Sequence, residues 1–86
     1  MANLVINPTD ARTFVQFCDS LSKKEWVDLH GELMQRLKRS AQCIYKWKNG
    51  LSIPSSIMER KAISDHINKK YQTLTRHWTL FPDPQS

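Results

Sequence analysis

The chain has 86 residues, is 40% hydrophobic and carries a formal net charge of +5, which allows one domain with a single modest core. Three Trp and three Phe supply enough apolar surface to exclude a disordered chain, and two Gly with four Pro leave long uninterrupted stretches that disfavour a turn-dense β fold. No apolar run approaches the ~18 residues needed to cross a bilayer and no signal-like segment opens the sequence, so a cytoplasmic protein without membrane contact is expected.

Residues 1–8 read as irregular and end at Pro8. Thr9 or Asp10 is placed to cap a first helix over roughly 10–21, where Phe14, Phe17, Cys18 and Leu21 share one face. Ser22 with Glu25 three residues on is a capping box, so a second helix begins near Lys23. Its stripe of Trp26, Leu29, Leu33 and Leu37 lasts to about Lys38. Gly31 within that stripe predicts close approach by a neighbouring helix.

Ser40 is an N-cap and Gly50 after Asn49 a helix stop, giving a third helix of about nine residues. A helix that short needs tertiary support. Ser56 with Glu59 reads as another capping box for a fourth helix from about Ile57, with Ile63, Ile67 and Tyr71 in register. The pattern leaves open whether this helix breaks near Lys70 or runs through Leu74 and Trp78. Residues 82–86, with Pro82 and Pro84, read as an irregular end. The expectation is one all-α domain over 1–86, a compact bundle of four or five helices.

The acids flank a gap. Between Glu32 and Glu59 there is none, whereas Arg36, Lys38, Arg39, Lys46 and Lys48 all fall inside it. Such a block is an electrostatic footprint for a polyanion, against the plainer reading of a solvated face. At about 100° per residue, Ser40, Cys43, Ile44 and Trp47 lie on one side of the short helix. Gln42, Tyr45, Lys46 and Asn49 lie on the other, flanked by Ala41 and Lys48. Gln and Lys reach purine edges in a major groove, and Tyr offers a hydroxyl and a ring. A capped helix start at Ser40 presents backbone N–H groups to a phosphate, with Arg36, Lys38 and Arg39 just before it.

The segment "ELMQRLKRSAQCIYKWKNGLSIPS", residues 32–55, resembles the helix-turn-helix of the Cro/phage-repressor family of DNA-binding domains. Leu33 and Leu37 match the first helix of that motif, Ser40 its cap, Ile44 its buried position, Asn49-Gly50 its terminus and Pro54-Ser55 its exit. The sequence departs from the pattern at Met34, where a small residue is usual, at Lys38-Arg39, where Gly and an apolar residue are usual, and at Trp47, which replaces a smaller aliphatic residue. The resemblance places the motif at about 30–50 and implies base contacts from Ala41, Gln42 and Lys46, with Tyr45 nearby. It implies phosphate contacts from Ser40, Asn49 and His30, which join Arg36, Lys38, Arg39 and Lys48 of the basic block. It also implies regulation of transcription in a bacterial or phage, repressor-like setting, double-stranded DNA as partner, and a homodimer.

Other chemistry is poorly supplied. His30, His66 and His77 form no pair at helical spacing and have no carboxylate cluster, so they read as surface histidines without a metal. Cys18 and Cys43 fall on apolar faces and read as core thiols. With no Gly-rich phosphate loop and no paired carboxylates, no enzyme, cofactor or small-molecule substrate is expected. Trp26 and Trp47 read as core, and Trp78 with Leu80 and Phe81 as core closure in preference to a dimer surface. Lys69, Lys70, Arg76 and His77 make a weaker basic cluster. Two alternatives to duplex binding stay open: a helical protein-interaction module with a basic surface, and a non-specific or RNA-binding protein.

Overall fold

In a computed structural model, residues 11–82 are described. They form five helices: α1 (Phe14–Asp19), α2 (Lys23–Leu37), α3 (Ala41–Lys48), α4 (Ile57–Tyr71) and α5 (His77–Leu80). The arrangement is an all-α bundle, with no strand among the described residues. The expected irregular ends lie almost wholly outside them.

Local hydrogen bonds explain most boundaries. At α2, the Ser22 hydroxyl accepts from the Glu25 amide at 3.2 Å while the Glu25 carboxylate accepts from the Ser22 amide at 2.9 Å. The bond from the Ser22 amide, and after it the Ser22 hydroxyl, hold the Glu25 carboxyl below its ordinary range. At α3, the Ser40 hydroxyl accepts from the Cys43 amide. The other end closes as a full Schellman motif: the Leu51 amide bonds the Lys46 carbonyl, the Gly50 amide bonds the Trp47 carbonyl, and Gly50 takes φ +75°.

Several boundaries differ from the sequence expectation. α1 starts at Phe14, with Thr13 and Gln16 forming its capping box, and not at a cap on Thr9 or Asp10, which lie outside the described residues. Thr13-x-x-Gln16 is itself a readable signature, masked by the cap-type residues Thr9 and Asp10 just before it. Ser56 does cap α4, but its hydroxyl accepts from the Met58 amide and Glu59 does not close a box. α4 stops at Tyr71, where Gln72 turns into the left-handed region at φ 56°. No helix presses on Gly31; a Cβ there would meet nothing within 4 Å.

The core draws on all five helices. Phe14, Phe17 and Cys18 of α1, Leu29 and Leu33 of α2, Ile44 and Trp47 of α3, Ile63 and Ile67 of α4, Leu80 and the following Phe81 are buried. Each fully buried side chain of this kind contributes about 1.5–3 kcal/mol, so α3 stands on Ile44 and Trp47 despite its length. Phe81 packs on Phe14 (centroids 5.1 Å apart) and edge-on to Trp47 (6.4 Å), and Tyr71 meets Phe17 edge-on. Leu80 and Phe81 therefore close the core as expected. Trp78 does not, since 61% of its surface is exposed. Trp26 is only half-buried, at the margin of the core.

Candidate nucleic-acid interface

α2 and α3 are joined by three residues, Lys38, Arg39 and Ser40, and pack on each other. The turn requires a left-handed residue, and Lys38 takes it at φ 55°, ψ 45°. This is where a glycine would sit without strain. A side chain here costs about 1–2 kcal/mol, which the surrounding packing offsets.

Burial sorts the faces of α3. Ile44 and Trp47 face inward and Cys43 is half-buried, whereas Ala41, Gln42, Tyr45, Lys46 and Asn49 are exposed. The outer face thus carries an amide, a phenol and an ammonium within one and a half turns. Ser40 is exposed, and its capping bond serves the Cys43 amide; the Ala41 and Gln42 amides at the helix start make no bond to any described residue.

The basic block is less uniform in space than in sequence. Arg39 is held by Glu59 in a two-pronged bond, Nε to Oε2 at 2.6 Å and Nη2 to Oε1 at 2.8 Å. This bond raises the guanidinium's proton affinity further. Arg36 Nη1 donates to His66 Nδ1 at 3.3 Å, and His66 Nε2 donates to the Glu32 carboxylate at 2.7 Å. Lys70 also bonds Glu32, at 2.9 Å. The bonds from Lys70 and then His66 hold the Glu32 carboxyl below its usual range. The two acids that bound the gap in sequence thus fold back onto its edges, and Glu59 neutralises Arg39 while Glu32 ties α2 to α4. Lys38 and Lys46 are exposed and make no ion pair among the described residues.

Two further candidates are engaged elsewhere. His30 Nε2 lies 3.1 Å from the Ala41 carbonyl, and a carbonyl only accepts, so Nε2 carries the proton. Only Nδ1 of His30 remains for an outside partner. Lys48 is half-buried, with its ammonium over the rings of Trp26 and Tyr45. The signal for Trp26 was available in the sequence, since it stands four residues before His30 on one helix face.

The histidines are not free surface groups: all three are partly buried, and His77 Nδ1 is buried without a hydrogen-bond partner among the described residues. Burial pushes the Cys18 thiol up to about 12 against the opposing pull of the Lys48 charge, so it stays protonated at neutral pH. Among the described residues no group of three or more His, Cys, Asp or Glu could hold a metal ion, and no helix is long and apolar enough to cross a membrane. Compared with family models, curated proteins and solved structures, the chain matches none.

Proposed function

We propose that the chain binds double-stranded DNA by laying the outer face of α3 in the major groove, without catalysis, and that this binding regulates transcription. The observation that carries the reading is the sorted surface of α3. A helix seated by Ile44 and Trp47 turns Gln42, Tyr45, Lys46 and Asn49 to solvent with no acid among them. Gln42 and Lys46 lie one turn apart on that face, spaced to meet the edges of nearby base pairs, the amide suited to adenine and the ammonium to guanine. Lys38, Arg36 and the free amides of Ala41 and Gln42 supply phosphate contacts beside the groove.

Selection of bound sequences from random duplex DNA tests the reading directly. The expected outcome is an enriched site, and an enriched palindrome would add that two copies bind together. Recovery of no duplex, with single-stranded RNA retained, would favour the RNA alternative. On the selected site Gln42→Ala should cost about 1–3 kcal/mol and much less on random duplex. The three exposed cations of the basic block that have no carboxylate partner among the described residues, Arg36, Lys38 and Lys46, give an expected log–log salt slope of about −3. A flat salt response removes DNA as the reason for the basic surface.

A further inference from the structure

α3 has only two buried anchors, Ile44 and Trp47, three residues apart. Anchors only three residues apart fix the roll of a helix about its axis more firmly than its tilt, and neither is the first or the last residue of α3. Both ends of α3 are tied down by one pair of side chains on α2. At the front, His30 donates to the Ala41 carbonyl at 3.1 Å. The His30 ring lies flat on the Trp26 indole, with centroids 4.9 Å apart and planes 11° apart. At the rear, the Lys48 ammonium sits 5.3 Å from the centroid of that same Trp26 ring and 5.9 Å from the Tyr45 ring. Trp26 and His30, four apart on α2, thus reach residues 41 and 48, the first and last of α3.

We infer that Trp26, His30 and Lys48 form a clasp that fixes the tilt of α3, making them positioning residues for base reading, with Lys48 serving this clasp and not the phosphate backbone. The half of this inference that concerns base reading rests on the proposed duplex binding; the clasp itself does not. A cation between two rings is attracted by the negative faces of both, and the pairing also orients the Tyr45 ring on the reading face. Base contacts depend on placement far more than phosphate contacts do, since a bidentate bond tolerates little displacement and a point charge near a phosphate tolerates more. Loosening the clasp therefore removes discrimination before it removes affinity.

The test uses the full chain, with Lys48→Gln, Trp26→Leu and Trp26→Phe. Lys48→Gln leaves the core intact and keeps the result interpretable should Trp26→Leu fold poorly. In the free protein, ring currents should shift the Lys48 ε-methylene protons upfield by NMR; Trp26→Leu should abolish most of that shift and Trp26→Phe retain part. Lys48→Gln and Trp26→Leu should each lower the affinity ratio of selected site to random duplex about tenfold, equivalent to one good base contact. The salt slope should stay unchanged, and Trp26→Phe should restore much of the ratio. A slope reduced by about 0.9, with both duplexes weakened equally, would make Lys48 a phosphate contact and overturn its assignment. Unshifted Lys48 methylenes in the parent protein would overturn the clasp. Shifted methylenes without any duplex binding would support the clasp and overturn its role in base reading.

Discussion

Two turns in this molecule use the same backbone device and hold it by different physics. Lys38 after α2 and Gln72 after α4 both take the left-handed conformation, at φ 55° and 56°, and each releases the chain into a new helix. The first turn is pinned from outside by the Arg39–Glu59 ion pair, whose arginine is 43% exposed. The second is pinned from inside. Asn68 Oδ1 accepts from the Thr75 amide, the Thr75 hydroxyl and the Thr73 hydroxyl at 2.7–2.8 Å, and its amide nitrogen donates to the Thr75 carbonyl. Ser64 donates to that carbonyl as well, at 2.9 Å. A partly buried network of uncharged groups is insensitive to salt, whereas an ion pair whose arginine is exposed contributes about 0–1 kcal/mol and is screened. The turn before the candidate reading helix is thus the one that ionic conditions can loosen. The turn before α5 is a fixed joint.

The comparison can be broken most severely at the anchor of α3. Trp47→Ala should destabilise the fold by about 3–5 kcal/mol in denaturant unfolding, because α3 is held by its buried anchors and not by the turn before it. A neutral result would mean that the helix is seated by some other face. Next comes Asn68→Ala, expected to cost about 2–3 kcal/mol through the partners it leaves unsatisfied around Thr75, equally at low and high salt. Smaller and opposite in sign, Lys38→Gly and Gln72→Gly should each raise the unfolding free energy by about 0.5–1 kcal/mol by relieving the left-handed residue. If either substitution destabilises, that side chain supports its turn in a way the backbone angles do not reveal. The smallest effect belongs to Glu59→Gln, about 0.5 kcal/mol at low salt and vanishing at high salt. A loss as large as that of Asn68→Ala would erase the distinction between the two turns.

What could be read from the sequence was local. The Ser22–Glu25 box, the Ser40 cap and the Asn49-Gly50 stop involve groups within about five residues of one another, so the residue types alone nearly specify the bond. The inward side of α3 was legible for the same reason, since helical geometry sorts side chains by spacing. Glu59 shows where this fails: it stands at the right spacing to close a box with Ser56, yet Arg39, twenty residues earlier, takes its carboxylate in a charged two-pronged bond. Trp78 fails in another way. Its apolar character predicted core closure, but Leu80 and Phe81 fill the space available beside Phe14 and Trp47.

By itself, then, the sequence determined α2, α3 and the start of α4 with their serine caps, and the outward display of Gln42, Tyr45, Lys46 and Asn49, because each depends on spacing along one segment. Only the tertiary structure decided which of the basic residues stay without a carboxylate partner. Arg39 is committed to Glu59, Arg36 leans on His66, and Lys48 lies over Trp26 and Tyr45, while Lys38 and Lys46 remain open. Charge along a chain adds up residue by residue, but the field a partner meets depends on which opposite charges the fold brings within a few ångströms.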